Sequence, residues 1–297
     1  MKHTLKVTII LVTLFFVAQV MGLLVTNAYI DHKATAESGE PVFISLPYEI
    51  ERPPVEEAGS YVFILSSILI GTVLVLVLVR FRKVFLWKIW FFAAVVISLS
   101  IAFSAFINPT IAFLISLGLA WLKIFRPSSI IHNVTEIFIY GGLAAIFVPI
   151  MSVTAAAILL IIISAYDFIA VFKIKHMITM AKFQTESKVF AGLMLPYKKG
   201  KYNAKASKRP GKSKMRTAIL GGGDIGFPLL FSGVVMKNLM LTDIVLVGFL
   251  KTLVITAAVS AALLFLFIKG KQDKFYPAMP YLTAGCFLGY AIIFALL

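Results

Sequence analysis

The sequence has few charged residues, a single cysteine and no zinc-binding histidine pattern. Asp, Glu, Lys and Arg make up 14% of its 297 residues, whereas a water-soluble domain normally carries about 25%. One cysteine, Cys286, excludes an intrachain disulfide and a cysteine-ligated metal cluster. The four histidines form no His-Glu-x-x-His pattern, which argues against a zinc protease. Since 60% of the residues are hydrophobic, most of the chain is expected to lie in lipid.

Nine apolar segments predict the fold, and most have the roughly 20 residues that a helix needs to cross a bilayer. They span residues 7–27, 61–79, 89–107, 110–125, 131–150, 151–172, 217–236, 241–268 and 275–297. A signal peptide is the alternative for the first segment, but its length and the lack of a small-x-small cleavage site favour a span. The predicted fold is an all-α polytopic membrane protein with nine transmembrane helices in one membrane domain. Six helices lie in residues 1–172 and three in residues 217–297.

The basic residues predict which ends of the helices face the cytoplasm. Of the 28 Lys and Arg residues, 24 lie before the first segment or in alternate loops after it. The first loop on the other side instead holds seven of the 13 acids. By the positive-inside rule, the N-terminus and the loop 173–216 are cytoplasmic and the C-terminus is extracytoplasmic. The same distribution favours membrane lipids, and not nucleic acid, as the partner of the basic residues.

The cytoplasmic loop 173–216 is the substantial polar stretch of the sequence. Its first part, 174–183, sets apolar residues among lysines, which predicts an amphipathic helix on the bilayer surface. Its middle, 198–214, mixes Lys, Gly, Pro, Ser and Asn, which predicts disorder. The loop therefore separates helices one to six from helices seven to nine.

Few acids lie inside the apolar segments, where each costs about 2.5–3.5 kcal/mol on insertion scales. Asp167 lies six residues before the basic loop begins at Lys173, and Asp224 lies eight residues after Arg216. At about 1.5 Å per residue, both acids would lie roughly 9–12 Å below the cytoplasmic ends of adjacent antiparallel helices. The third acid, Glu136, is predicted to be interfacial, near the inner end of the fifth segment.

Two carboxyl groups at one depth can face each other. Within hydrogen-bond range they cannot easily both ionise, so one stays protonated while the other deprotonates a water molecule, as in aspartic proteases. The alternative is a proton- or cation-coupled transporter or channel that uses the same acids. Lys251 is the residue that best suits transport, but its position nearer the outer side favours local pairing or hydration.

Glycine and proline residues accompany the acids. A run of three glycines, 221–223, directly precedes Asp224, and each glycine costs a helix about 1 kcal/mol relative to alanine. Such small residues suit a helix-packing surface or an open backbone beside a catalytic centre. The segment 277–280, Pro-Ala-Met-Pro, suits a plain helix entry or an interrupted helix with free backbone carbonyls. The acid directly after the glycines favours the open backbone, whereas the residues alone leave the choice at 277–280 open.

Three short patterns resemble the presenilin and signal peptide peptidase family of GxGD intramembrane aspartyl proteases. Tyr166-Asp167 is similar to the YD motif of this family, Gly221-Gly222-Gly223-Asp224 fits its GxGD motif, and Pro277-Ala278-Met279 resembles its PAL motif with Met in place of Leu. The resemblance implies that Asp167 and Asp224 are catalytic and that no cofactor or metal takes part. It assigns support of the active site to Tyr166, Gly221, Gly223, Pro277, Ala278 and Met279.

The resemblance also implies the partners. A cytoplasmic loop between the two catalytic segments is the orientation of presenilins and is opposite to that of signal peptide peptidases. The implied substrates are single-span transmembrane proteins, and assembly into a homo-oligomer stays open. A prepilin-type peptidase, which also uses GxGD acids, is the closest enzymatic alternative, although the Pro-Ala pattern is not expected there.

Overall fold

The computed structural model describes residues 4–81, 83–174, 190–198, 215–270 and 276–295. Within these ranges the chain is mostly helical, with one two-stranded sheet. The helices are α1 (Leu5–Ala28), α2 (His32–Ser38), α3 (Ser60–Arg80), α4 (Val84–Ser104), α5 (Pro109–Phe125), α6 (Ser129–Phe147), α7 (Val153–Ile169), α8 (Gly222–Thr242), α9 (Val245–Lys269) and α10 (Met279–Ala295). The strands are β1 (Gly192–Lys198) and β2 (Met215–Gly221).

Each of the nine predicted apolar segments largely overlaps one apolar helix. Seven of these helices, α1, α3, α4, α6, α7, α8 and α9, are long and apolar enough to cross a membrane. The other two, α5 and α10, are apolar but have 17 residues each. The all-α membrane fold is therefore confirmed, while membrane crossing by α5 and α10 stays a prediction.

Local sequence sets the helix boundaries. Asn108 precedes α5, where its side-chain oxygen accepts a 2.9 Å hydrogen bond from the backbone of Thr110 and Pro109 occupies the first helical position. The predicted break between the fifth and sixth segments is confirmed at Pro149, which lies between α6 and α7. Ser152 then begins α7 by accepting a 3.2 Å hydrogen bond from the backbone of Ala155. Proline ends one helix and a capping serine starts the next.

The core is centred on α8. This helix packs against α1, α6, α7, α9 and α10, and its residues Leu229 and Val234 are fully buried. On α3, by contrast, Leu69 and Ile70 are each 61% exposed. Exposed aliphatic side chains on a membrane helix suit contact with lipid, so α3 lies at the periphery and α8 inside the bundle.

The predicted seventh segment, 217–236, begins too early. Residues Met215–Gly221 form β2 and pair antiparallel with β1, from Gly192 opposite Gly221 to Lys198 opposite Met215. The helix starts only at Gly222. The apolar residues at the beginning of the segment thus satisfy their backbone groups in a sheet and not in a helix. Residues 175–189 and 199–214, which include most of the predicted amphipathic helix and disordered stretch, lie outside the described residues.

Gly192 is required by the geometry of this sheet. Its φ of +134° lies in the region that favours glycine, and a Cβ there would lie 2.1 Å from the carbonyl oxygen of Leu220. The close approach of β1 to β2 brings the strands to the first residue of α8, where the backbone N–H of Gly222 donates to the carbonyl of Ala191 at 3.1 Å. The sheet therefore ends directly at the helix that carries Asp224.

Candidate active site

Asp167 lies in the last turn of α7 and is 9% exposed. Its carboxylate oxygen Oδ2 accepts a hydrogen bond of 3.1 Å from the backbone N–H of Met279, and the backbone of Ala278 also donates to this carboxylate. The first N–H groups of a helix lack intrahelical acceptors, so Asp167 satisfies a donor at the start of α10. The structure thus brings Asp167 and the Pro-Ala-Met segment into direct contact.

A second polar contact fixes the same pair of helices. Ser164, three residues before Asp167, lies 2.6 Å from Thr283 of α10, measured between the two hydroxyl oxygens. α7 and α10 pack against each other along this line. The hydroxyl pair and the carboxylate contact together hold the end of α7 against the beginning of α10.

Asp224 is the third residue of α8 and therefore lies in its first turn. The partial positive charge of a helix N-terminus stabilises an acid at this position. The carboxylate of Asp224 lies close to Gly221, three residues earlier: a Cβ on Gly221 would be 3.4 Å from Asp224 Oδ2. The helical path predicted from Arg216 to Asp224 is wrong, because β2 occupies Met215–Gly221. Asp224 does lie at the end of its helix, as Asp167 does.

A cavity of about 740 Å³ opens beside the glycines that precede Asp224. It lies between α3, α4, α6 and α8, and Gly221, Gly222 and Gly223 form part of its wall. Most of the remaining wall is apolar, with Ile68 of α3 and Leu143 of α6 as examples. A largely apolar cavity with a few polar groups in its wall is the usual form of a ligand site.

The sequence matches the family described as signal-peptide peptidase, presenilin aspartyl protease over residues 12–297. The chain belongs to this family. No curated protein matches the sequence.

Two crystal structures of a presenilin family intramembrane aspartate protease share the fold. The structure in the C222 space group has 17% sequence identity and a TM-score of 0.61, covering 98% of this chain and 99% of that chain. The structure in the P2 space group has 18% identity and a TM-score of 0.59, covering 97% of each chain. The match extends over nearly the whole length, so the shared fold includes the first five predicted segments, within residues 7–150, for which the motifs gave no signal.

In this presenilin-family fold, Glu136 is buried inside the protein, with 1% exposure, and its predicted position at the membrane interface stays a prediction. Its Oε1 accepts from the ammonium of Lys123 at 2.7 Å, and its Oε2 accepts from the hydroxyl of Tyr140 and, at 2.8 Å, from the backbone N–H of Gly192. Three donors, one of them a cation from α5, compensate the buried carboxylate. Sequence reasoning missed this network because its members come from three separate elements.

Two further side chains of α6 bind the free edge of β1. The amide of Asn133 accepts from the backbone N–H of Met194 at 2.9 Å and donates to its carbonyl at 2.7 Å. The ring atom Nε2 of His132 lies 2.7 Å from the carbonyl oxygen of Gly192. These contacts replace the backbone partners that a further strand would supply, so α6 holds β1 in place.

Gln19 is a polar contact from α1 to the beginning of α8. It is fully buried, and its side-chain amide donates a 2.7 Å hydrogen bond to the carbonyl of Ile225, the residue after Asp224. The sequence contained a signal for it, because an uncharged polar residue in the middle of an apolar segment usually has a specific partner. Its position beside Asp224 was visible only in the fold.

The remaining predicted residues have different surroundings. Tyr166 is 48% exposed, so its assigned support of the active site stays a prediction. Pro277 and Met279 are buried at the contact with Asp167. Lys251 forms an ion pair of 2.9 Å with Asp243, which confirms its predicted local pairing.

Proposed function

We propose that this protein is an aspartic endopeptidase of the GxGD type that hydrolyses peptide bonds within or near the transmembrane helices of single-span membrane proteins. The observation that carries the proposal is the position of the two acids on contacting helices. Asp167 lies two residues before the end of α7, Asp224 is the third residue of α8, and these helices pack against each other. Membership of an aspartyl protease family supports the same chemistry.

In the proposed reaction, Asp167 and Asp224 share one proton. The ionised carboxyl group takes a proton from a water molecule, whose oxygen attacks the peptide carbonyl carbon. The protonated group then gives its proton to the leaving amine, and the peptide bond breaks. The two acids titrate as a pair, so neither is assigned to one role. The backbone donors of Ala278 and Met279 orient the carboxylate of Asp167 for this reaction.

The cavity beside α8 supports a membrane-embedded substrate. Its apolar wall suits the side chains of a transmembrane segment, and its end at Gly221–Gly223 leaves backbone space next to Asp224. Peptide bonds inside a helix are protected by their hydrogen bonds, so a substrate must be extended locally before attack. Membrane lipids surround the peripheral helices, and substrate enters from lipid.

The proposed orientation has the N-terminus and residues 173–216 in the cytoplasm and the C-terminus outside. It is tested by labelling single cysteines with an impermeant thiol reagent in a Cys286→Ser background. Ser38→Cys, in the first loop, should react in intact cells, whereas Ser207→Cys should react only after permeabilisation. The reverse pattern would contradict the orientation.

The function is tested with purified protein in liposomes containing a single-span substrate, with cleavage products identified by mass spectrometry. The wild-type protein should cut the substrate within or near its membrane segment, and Asp224→Asn should lose cleavage. Asp243→Asn is the matched control, because it removes another acid near α8 that pairs with Lys251 and should keep cleavage. If the wild-type protein instead carries protons or cations across the liposome without cutting substrate, the transporter hypothesis replaces the protease.

A further inference from the structure

Gly222, the first residue of α8, has no room for a side chain. A Cβ at this position would lie 2.7 Å from the hydroxyl oxygen of Tyr140 and 3.4 Å from two carbons of its ring. Contacts under 3.0 Å are essentially never seen for real Cβ atoms, so the ring would have to move. The neighbouring glycines differ, since Cβ atoms at Gly221 and Gly223 would meet their nearest atoms at 3.4 and 3.3 Å.

The ring of Tyr140 is held in place. It is 4% exposed, and its hydroxyl donates to Oε2 of Glu136. Glu136 is fixed in turn by Lys123 at 2.7 Å and by the backbone of Gly192 at 2.8 Å. Moving the ring would therefore break a buried charged network, and such networks are costly to leave partly satisfied.

The ring also borders the cavity. Tyr140, Gly222 and Gly226 all line it, and Tyr140 lies close enough to Asp224 for the two groups to interact electrostatically. The space that a side chain at position 222 would occupy is thus filled from α6. This filled space borders the part of the cavity wall formed by Gly221–Gly223, the residues directly before Asp224 in the chain.

We propose that Tyr140 is a specificity-determining residue. Its ring takes the place of the side chain that α8 lacks at Gly222 and limits the size of the substrate side chain that fits beside Asp224. This inference rests on the proposed function. It assigns to α6 a part of the site that no sequence motif marks.

The close contact between position 222 and the Tyr140 ring is tested by thermal unfolding, without any substrate. Gly222→Ala should lower the midpoint of thermal unfolding, because the added methyl group meets the Tyr140 hydroxyl. Tyr140→Phe removes that hydroxyl, so the double variant should lose less than the sum of the two single variants. Gly226→Ala is the matched control: its Cβ would meet the same ring at an ordinary 3.7 Å and should show no such coupling. Additive effects at 140 and 222 would overturn the proposal.

The effect of Tyr140 on substrate choice is tested with three substrates. They differ only in the residue next to the cleaved bond, which is Ala, Leu or Phe. Tyr140→Ala should raise the ratio of Phe-substrate to Ala-substrate cleavage by about tenfold or more, given the effect of pocket volume on selectivity. Adding Gly222→Leu should lower that ratio again, since the lost volume returns from α8. Tyr140→Leu serves the same purpose if the alanine variant does not fold.

Different results would overturn the specificity role of Tyr140 and the protease function. An unchanged cleavage ratio in a folded, active Tyr140 variant would overturn the specificity role and leave the protease function standing. Absence of cleavage by the wild-type protein would overturn both, and the unfolding measurements would then report packing alone.

Discussion

The two ends of the helix bundle use buried polar groups for different purposes. At the end that carries Asp224, Lys123 and Glu136 form an ion pair whose side chains are 2% and 1% exposed. At the other end of α8, Lys237 is equally buried but pairs at 2.8 Å with Glu57, whose side chain is 51% exposed. Lys237 lies 13 positions after Asp224 on the same helix, which places the two ends roughly 20 Å apart.

The two ion pairs fix different parts of the protein. Glu136 binds the backbone of β1 and the ring beside Gly222, so the first ion pair fixes the position of the main chain around Asp224. Lys237 binds Glu57 and the carbonyl of Pro149, and thereby attaches the first loop to the bundle. The acid-bearing end therefore depends on a fully buried ion-pair network, whereas the ion pair at the opposite end includes a carboxylate that water can reach.

We expect the greatest loss of stability when the buried ion pair of Lys123 and Glu136 is broken. Lys123→Met leaves the carboxylate of Glu136 buried without its cation and should lower the free energy of unfolding by about 3–5 kcal/mol. Reversible unfolding in mixed detergent measures this loss. Adding Glu136→Leu removes the uncompensated charge and should recover part of it; a double variant less stable than Lys123→Met would contradict the account.

At the opposite end, the contribution of Tyr29 to the free energy of unfolding should depend on pH. Tyr29 lies just after α1. Its hydroxyl donates to the carbonyl of Ile101 at 2.8 Å. Burial raises the pKa of Tyr29 from 10.0 to about 12, against the opposing charge of Arg52. A raised pKa means that the folded state retains the proton longer. The stability that Tyr29 contributes is therefore fully present below pH 10 and is lost as pH rises through about 12.

The loss from this residue amounts to about 2.7 kcal/mol at most, from two units of pKa. It is measured as the difference in unfolding free energy between the wild type and Tyr29→Phe, which has no proton to lose. The difference should shrink between pH 10 and 12. A constant difference over this range would show that the phenol ionises equally easily in both states.

A third prediction concerns the backbone donor at Asp167. Met279→Pro removes the N–H that donates to this carboxylate, at a first helical position where proline fits. A hydrogen bond to a charged group stabilises by about 1.5–3 kcal/mol, so cleavage should fall about 10- to 100-fold. Met279→Ala keeps the N–H and loses only the side chain; it should retain more activity than the proline variant, and equal losses would point to packing instead.

The smallest effect is expected at Lys237. In Lys237→Met the partner Glu57 remains half exposed and can be hydrated, so the free energy of unfolding should fall by about 1 kcal/mol or less. The same detergent titration as for Lys123→Met gives the comparison directly. A loss as large as that of Lys123→Met would remove the distinction between the two ends.

Sequence reasoning predicted the features that depend on local composition. The helical membrane segments, the break at Pro149 and the unusual acids Asp167 and Asp224 were visible because a charge or a proline inside an apolar run stands out. The start of α8 was not, because the apolar residues of β2 fit either a helix or a strand. Their pairing with β1, more than twenty residues earlier, decides between the two.

The surroundings of the acids were also beyond local sequence. Glu136 binds Lys123 from α5 and Gly192 from β1, and neither partner follows from the sequence around it. Gln19 reaches Ile225 across more than 200 residues of chain, and Asp167 meets Met279 across more than 100. Such contacts follow from the packing of helices, which the spacing of residues along one helix does not encode.

We expect Asp167 and Asp224 to act as one catalytic unit. Single-turnover cleavage of a membrane substrate by Asp167→Asn, Asp224→Asn and the double variant tests it most directly. Each single variant should lose more than about 10³-fold in rate, and the double variant should lose no more than either, as expected of groups that act together. A folded single variant that still cleaves at close to the wild-type rate would contradict the claim.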